Sequence, residues 1–252
     1  MSIRSRRLAL VIALATLVAA ALPGAVSANH AWGGYHWART ANPFTLKLGD
    51  NVNSTWDSFL VTTSSDWTAS SVLNTTIVTG GARPKNCRPT SGRVEVCNAA
   101  YGSNGWLGVA QIWVSGGVHI TQGTVKVNDS YFKSAPYNTA AWRNLVMCQE
   151  VGHTLGLDHQ DENFNNANLN TCMDYTNNPS TNQHPNAHDY EMLESIYAHL
   201  DSTSTAGSAA AGSSAAPGSW GQLVATEAGG RASVYRLDLA DGSFVLTHVF
   251  WA

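Results

Sequence analysis

The run Gln149-Glu150-Val151-Gly152-His153-Thr154-Leu155-Gly156-Leu157-Asp158-His159 carries the residue types and spacing that metal-assisted chemistry needs. On a helix, Gln149 and His153 lie four apart and project from one face. Gly156 lets the chain turn, so that His159 can approach the same point from another side. Glu150, one position after Gln149, sets a carboxylate beside that point, where it could take a proton from water held by a metal. Downstream, Cys172-Met173-Asp174-Tyr175 offers a methionine in a tight polar context that could underlie the metal, and Tyr175 could stabilise an oxyanion. The plain alternative is a buried helix with a glycine stop and two hydrogen-bonded histidines. The common register of Glu150, His153, Gly156, His159 and Met173 favours a site.

These residues resemble the metzincin signature, a His-Glu-x-x-His-x-x-Gly-x-x-His run followed by a methionine-containing turn. The chain looks most like bacterial metalloproteases of the matrixin type, over roughly residues 44–200. The resemblance implies a secreted zinc endopeptidase acting on protein or peptide substrates, with His153 and His159 as Zn2+ ligands, Glu150 as general base and Met173 beneath the ion. The departure is Gln149, which stands where the family has histidine. Its amide oxygen is neutral, like imidazole, and can reach a similar position, which makes Gln149 a third ligand of lower affinity. His184 and His188 offer another route to the ion, although a solvent-facing histidine near a helix start is their simpler reading. The alternative function is a catalytically impaired metzincin-fold protein that serves as an extracellular binding module.

Such a site requires a helix on a sheet. Phe44 to Leu48 alternates apolar and polar residues like a half-buried strand, and Trp56, Phe59, Leu60, Trp67 and Val72 recur at helical spacing within 54–73, with Ser54 and Asp57 as capping candidates. Strand-like pieces follow at 93–97, 107–114, 119–121 and 123–128. A helix over 139–155 carries the motif and stops at Gly156, and Asn186 with Asp189 predicts a capped last helix reaching Leu200. The expected class is α+β, a twisted mixed sheet packed on helices. Residues 201–219 are Ser, Ala, Gly and Thr rich and read as a flexible linker. Residues 220–252 alternate again around Asp241-Gly242 and predict a C-terminal β-hairpin docked on the main domain. The oxygen-rich run Asp161, Glu162, Asn163, Asn165 and Asn166 lacks EF-hand spacing and reads as a solvated loop.

Arg4, Arg6 and Arg7 precede an apolar run from Leu8 to Leu22, the pattern of a secretory signal peptide over 1–28 and too short for a membrane span. After its removal, 11 basic residues face 17 acidic ones, a net charge of about −6, with no basic run to follow a phosphate backbone. Nucleic acid and membrane are therefore not expected partners, and the mature protein is expected to be an extracellular monomer. Too few residues precede the first strand for a long inhibitory pro-segment. Four cysteines in an exported chain favour disulfides. Of the three pairings, Cys87 with Cys97 closes a local Pro- and Gly-containing turn and is preferred, which leaves Cys148 with Cys172.

Overall fold

The computed structural model describes residues 30–208 and 219–252. The segment read as a signal peptide lies outside these residues, as does the middle of the predicted linker. In chain order the strands and helices are β1 (His36–Trp37), β2 (Phe44–Asn51), α1 (Asp57–Thr68), β3 (Leu73–Thr79), β4 (Arg93–Ala99), β5 (Trp106–Ser115) and β6 (His119–Asn128). They continue with α2 (Ala140–Thr154), α3 (Ala187–Ile196), β7 (Gln222–Glu227), β8 (Ala232–Asp238) and β9 (Phe244–Trp251). The class is α+β. The strands form one sheet in the order β3-β2-β4-β6-β5-β9-β8-β7, with β1 pairing the start of β6. Pairings from β3 through β6 are parallel, whereas β5, β9, β8 and β7 run antiparallel to their neighbours.

Local residue choice accounts for most of these elements. In β2, Phe44, Leu46 and Leu48 are buried between exposed Thr45 and Lys47, the period expected when one face meets the core. Helix α1 is shorter than the predicted 54–73, and its N-cap is Trp56, with no side-chain cap from Ser54 or Asp57. The end of that predicted helix turns instead toward β3. There the Thr68 hydroxyl accepts the amide of Thr75 at 2.9 Å, and β-branched Thr75, Thr76, Ile77 and Val78 favour the extended strand beside β2. The two short pieces predicted at 119–121 and 123–128 are one strand, because a bulge opposite Trp113 and Val114 absorbs the break in phase.

Thr139 caps α2 through its side chain, which accepts the amide of Trp142. The helix stops where Gly156 adopts φ +95°, and the carbonyl oxygen of Tyr35 occupies the space a Cβ would need. Helix α2 packs on β5, β6 and α1, with Leu145, Val146 and Val151 fully buried. Helix α3 has a complete capping box between Asn186 and Asp189 and ends at Ile196, short of the predicted Leu200. Disulfides join Cys87 to Cys97 and Cys148 to Cys172.

The C-terminal segment is more than a pair of strands. β9 lies between β8 and β5, paired with β5 from Trp106 to Val114, so Phe244, Leu246 and Phe250 enter the main core. The first part of the predicted linker is also tied down: Thr205 exchanges hydrogen bonds with the backbone of Ala38, and the Gly207 amide donates to the Gly92 carbonyl. Among the described residues, no helix is long and apolar enough to cross a membrane. The two disulfides fit an extracellular protein.

Candidate metal centre

Helix α2 carries Gln149, Glu150 and His153 and sets Glu150 against β5. Glu150 is fully buried, and Gly108 on β5 makes its space: a Cβ there would fall on the Glu150 carboxylate. The sharp exit at Gly156 returns the chain so that the rings of His153 and His159 lie 4.6 Å apart. Beneath them, Met173 fills the gap left by Gly152, since a Cβ at Gly152 would lie 2.6 Å from the Met173 sulfur. The Cys148–Cys172 bridge fastens this turn to the helix.

A third imidazole arrives from the far end of the chain. His248 on β9 shares a strand face with Phe244, Leu246 and Phe250, and its ring stands 4.1 Å from that of His153 and 4.9 Å from that of His159. One ring nitrogen from each of His153, His159 and His248 falls within 4.8 Å of the others. His248 Nδ1 is 3.5 Å from Glu150 Oε2, and its Nε2 is 3.1 Å from the Tyr175 hydroxyl. Tyr175 stacks on His159 at 4.0 Å and also donates to Glu227 Oε2 at 3.3 Å. The sequence reading assigned His248 only to the hairpin. Its signal was a histidine falling in the apolar phase of an alternating strand.

Gln149 is held differently from His248. Its Nε2 donates to the Cys172 carbonyl at 2.9 Å, while its Oε1 is buried without a partner among the described residues. His184 pairs with Asp66 at 2.7 Å and His188 faces Glu191, so both serve the surface around α3. The loop after His159 satisfies much of its own polarity: Asp161 accepts from the Asn163 amide and from Asn166 Nδ2. That loop borders a cleft of about 660 Å³ lined by His159, Asp161, Glu162, Phe164, Ala228 and Gly229.

The electrostatics differ from ring to ring. Burial holds the His153 imidazole well below its ordinary range, reinforced by His248 and His159, and burial lowers His248 to about 3. Both rings are therefore neutral, the form that ligates metals. Burial also opposes a charge on His159, but the carboxylates of Asp158 and Glu227 outweigh it and raise its pKa to about 9. Glu227 Oε2 lies 3.1 Å from His159 Nδ1. Burial pushes the Glu150 carboxyl well above its ordinary range, against the pull of His159. His153 Nδ1 lies 2.9 Å from the Leu157 carbonyl, which can only accept, so that nitrogen carries the proton and Nε2 presents its lone pair. Among the described residues, His153 Nε2 and His159 Nε2 are buried with no hydrogen-bond partner. Buried orphans of this kind are costly unless a ligand satisfies them, and the three rings beside a carboxylate fit a divalent transition ion once His159 gives up its proton to it. No family model matches the chain, and neither does any curated protein.

Proposed function

We propose that the chain is a secreted zinc-dependent peptide hydrolase of metzincin type in which His248 takes the ligand position that Gln149 has vacated. The observation that carries this reading is the convergence of His153, His159 and His248 beside Glu150. Three imidazoles are an ordinary catalytic zinc set that leaves one position open, and bound zinc would supply Lewis acidity to a carbonyl and to water. Glu150 Oε2 takes a proton from the attacking water and returns it to the departing amine. Glu227 and Tyr175 orient the rings of His159 and His248 through the contacts already described, the role that outer partners play at metal sites. Substrate approaches through the cleft beside His159. The outer edge of β5 is occupied by β9, so a peptide cannot add there as a strand.

That same strand favours a second reading, a closed zinc-binding module without hydrolysis, since Glu150 has no exposed surface while β9 is in place. The two readings separate in the full-length protein. Elemental analysis should find one equivalent of zinc that is lost in His153→Ala and His248→Ala but kept in Gln149→Ala. Chelator-sensitive casein hydrolysis should fall by about 10²- to 10⁴-fold in Glu150→Gln with zinc retained. Zinc binding without hydrolysis in the wild type would leave the closed module. Zinc indifferent to His248→Ala would remove the proposed ligand set altogether.

A further inference from the structure

A second group of metal-ligating side chains lies at the start of β6, away from Glu150, and the proposed reaction makes no use of it. β1 and β6 pair in parallel with His36 opposite His119. The segment after α3 runs back across both and brings His199 and Asp201 to them. Donor atoms of His36, His119 and Asp201 lie within 4.8 Å of one another, and His199 joins them from the side of His36: His36 Nε2 is 3.2 Å from His199 Nε2, and Asp201 Oδ1 is 3.2 Å from His119 Nε2 and 3.7 Å from the Nε2 atoms of His36 and His199. A zinc ion with bonds of about 2.0 to 2.1 Å in a tetrahedron separates its donors by about 3.3 to 3.4 Å. The four separations given, of the six among these atoms, bracket that value.

The supporting contacts also orient these donors inward. His36 Nδ1 lies 2.8 Å from the Gly34 carbonyl, so Nδ1 carries the proton and Nε2 offers its lone pair to the cluster. Asp201 Oδ2 is taken by the Arg39 guanidinium at 2.8 Å, and the Arg39 amide donates to the same oxygen at 3.2 Å. Oδ1 is thereby left to face the three rings. Without an ion, His199 Nε2 donates its proton to His36 Nε2 at 3.2 Å. A cation satisfies every lone pair in the cluster at once.

We propose that His36, His119, His199 and Asp201 form a second metal site, a closed four-ligand structural centre for zinc or a similar divalent transition ion. It clips together β1, β6 and the segment leaving α3, with two ligands from strand starts and two from beyond a helix end. The His199 side chain is 52% exposed and His119 33%, so solvent reaches the site and an ion can load after folding. The four protein ligands leave no open position for a substrate, which makes the role structural. The site is independent of the three-histidine centre and stands or falls separately.

The test uses full-length protein, zinc content by elemental analysis and cobalt(II) titration followed by visible absorption. His153→Ala/His248→Ala, which disables the other centre, should still bind one ion and show the intense absorption of a four-coordinate cobalt site. His119→Ala/His199→Ala should lose one ion relative to wild type and keep the other. His199→Ala alone, at a half-exposed side chain, guards against misfolding and should weaken this site at least about 10-fold. Chelation should lower the thermal midpoint of His153→Ala/His248→Ala and leave that variant unmoved once His199 is also removed. Absence of an ion or of the cobalt band in His153→Ala/His248→Ala would overturn the proposal, as would zinc content indifferent to His119→Ala/His199→Ala.

Discussion

Gly152→Ala offers a sharp test of how the candidate centre is packed, because two effects of known sign compete there. Gly152 lies inside α2, between Glu150 and His153. On helix propensity alone, alanine would stabilise by about 1 kcal/mol. The structure opposes this: the new Cβ would stand 2.6 Å from the Met173 sulfur and 2.8 Å from Trp67 Cζ2. Carbon contacts are comfortable only from about 3.5 Å, so Met173 or the indole must retreat by most of an ångström in a fully buried layer. Overpacking of this kind costs about 1 to 3 kcal/mol, which leaves a net loss of about 0 to 2 kcal/mol. For a domain of this size that corresponds to a fall in thermal midpoint of up to about 8 °C. The decisive assay is a double-mutant cycle with Met173→Ala, monitored by thermal and urea unfolding of chelator-treated protein. Removing the Met173 side chain leaves a cavity that the methyl group introduced by Gly152→Ala partly fills, so the substitutions should couple favourably by more than about 0.5 kcal/mol. Gly152→Ala stabilising by about 1 kcal/mol with no coupling would refute the claim that Met173 sits directly beneath this turn of the helix.

Further expectations follow from the same geometry. Gly108→Ala should push the Glu150 carboxylate off β5, so hydrolysis should fall more steeply than zinc content, and equal loss of both would count against that placement. Replacing Cys148 and Cys172 by Ala frees a loop with a sequence separation of 24 and should cost about 3 to 4 kcal/mol in urea unfolding. Asn186→Ala removes the capping box of α3 and should cost about 0.5 to 2 kcal/mol, and an unchanged unfolding midpoint would argue that the cap is idle.

Much of the site could be read from the chain because the information is local. The four-residue spacing of Gln149 and His153, the glycine stop and the return of His159 all follow from helix geometry within one short run, and the Asn186 cap is likewise a short-range signal. The helix predicted to reach Leu73 shows where local reading fails: apolar residues before β3 match helical spacing by chance, while sheet pairing with β2 claims the backbone. The start of the predicted linker differs for a similar reason. Its composition cannot build a core, yet hydrogen bonds tie Thr205 and Gly207 to neighbouring segments.

The sequence by itself determined the helix that carries Gln149, Glu150 and His153, the turn to His159 and the alternation that makes strands of the C-terminal segment. Only the tertiary structure decided what completes the cluster. His248 reaches Glu150 across 98 residues because β9 pairs with β5 in one register, and a shift of one residue would turn that imidazole to the opposite face of the sheet. His36, His119, His199 and Asp201 likewise meet only when β1 lies beside β6 and the chain leaving α3 crosses them. Spacing along a helix is written in a few neighbouring residues, whereas strand partners and register are chosen by burial of the whole sheet.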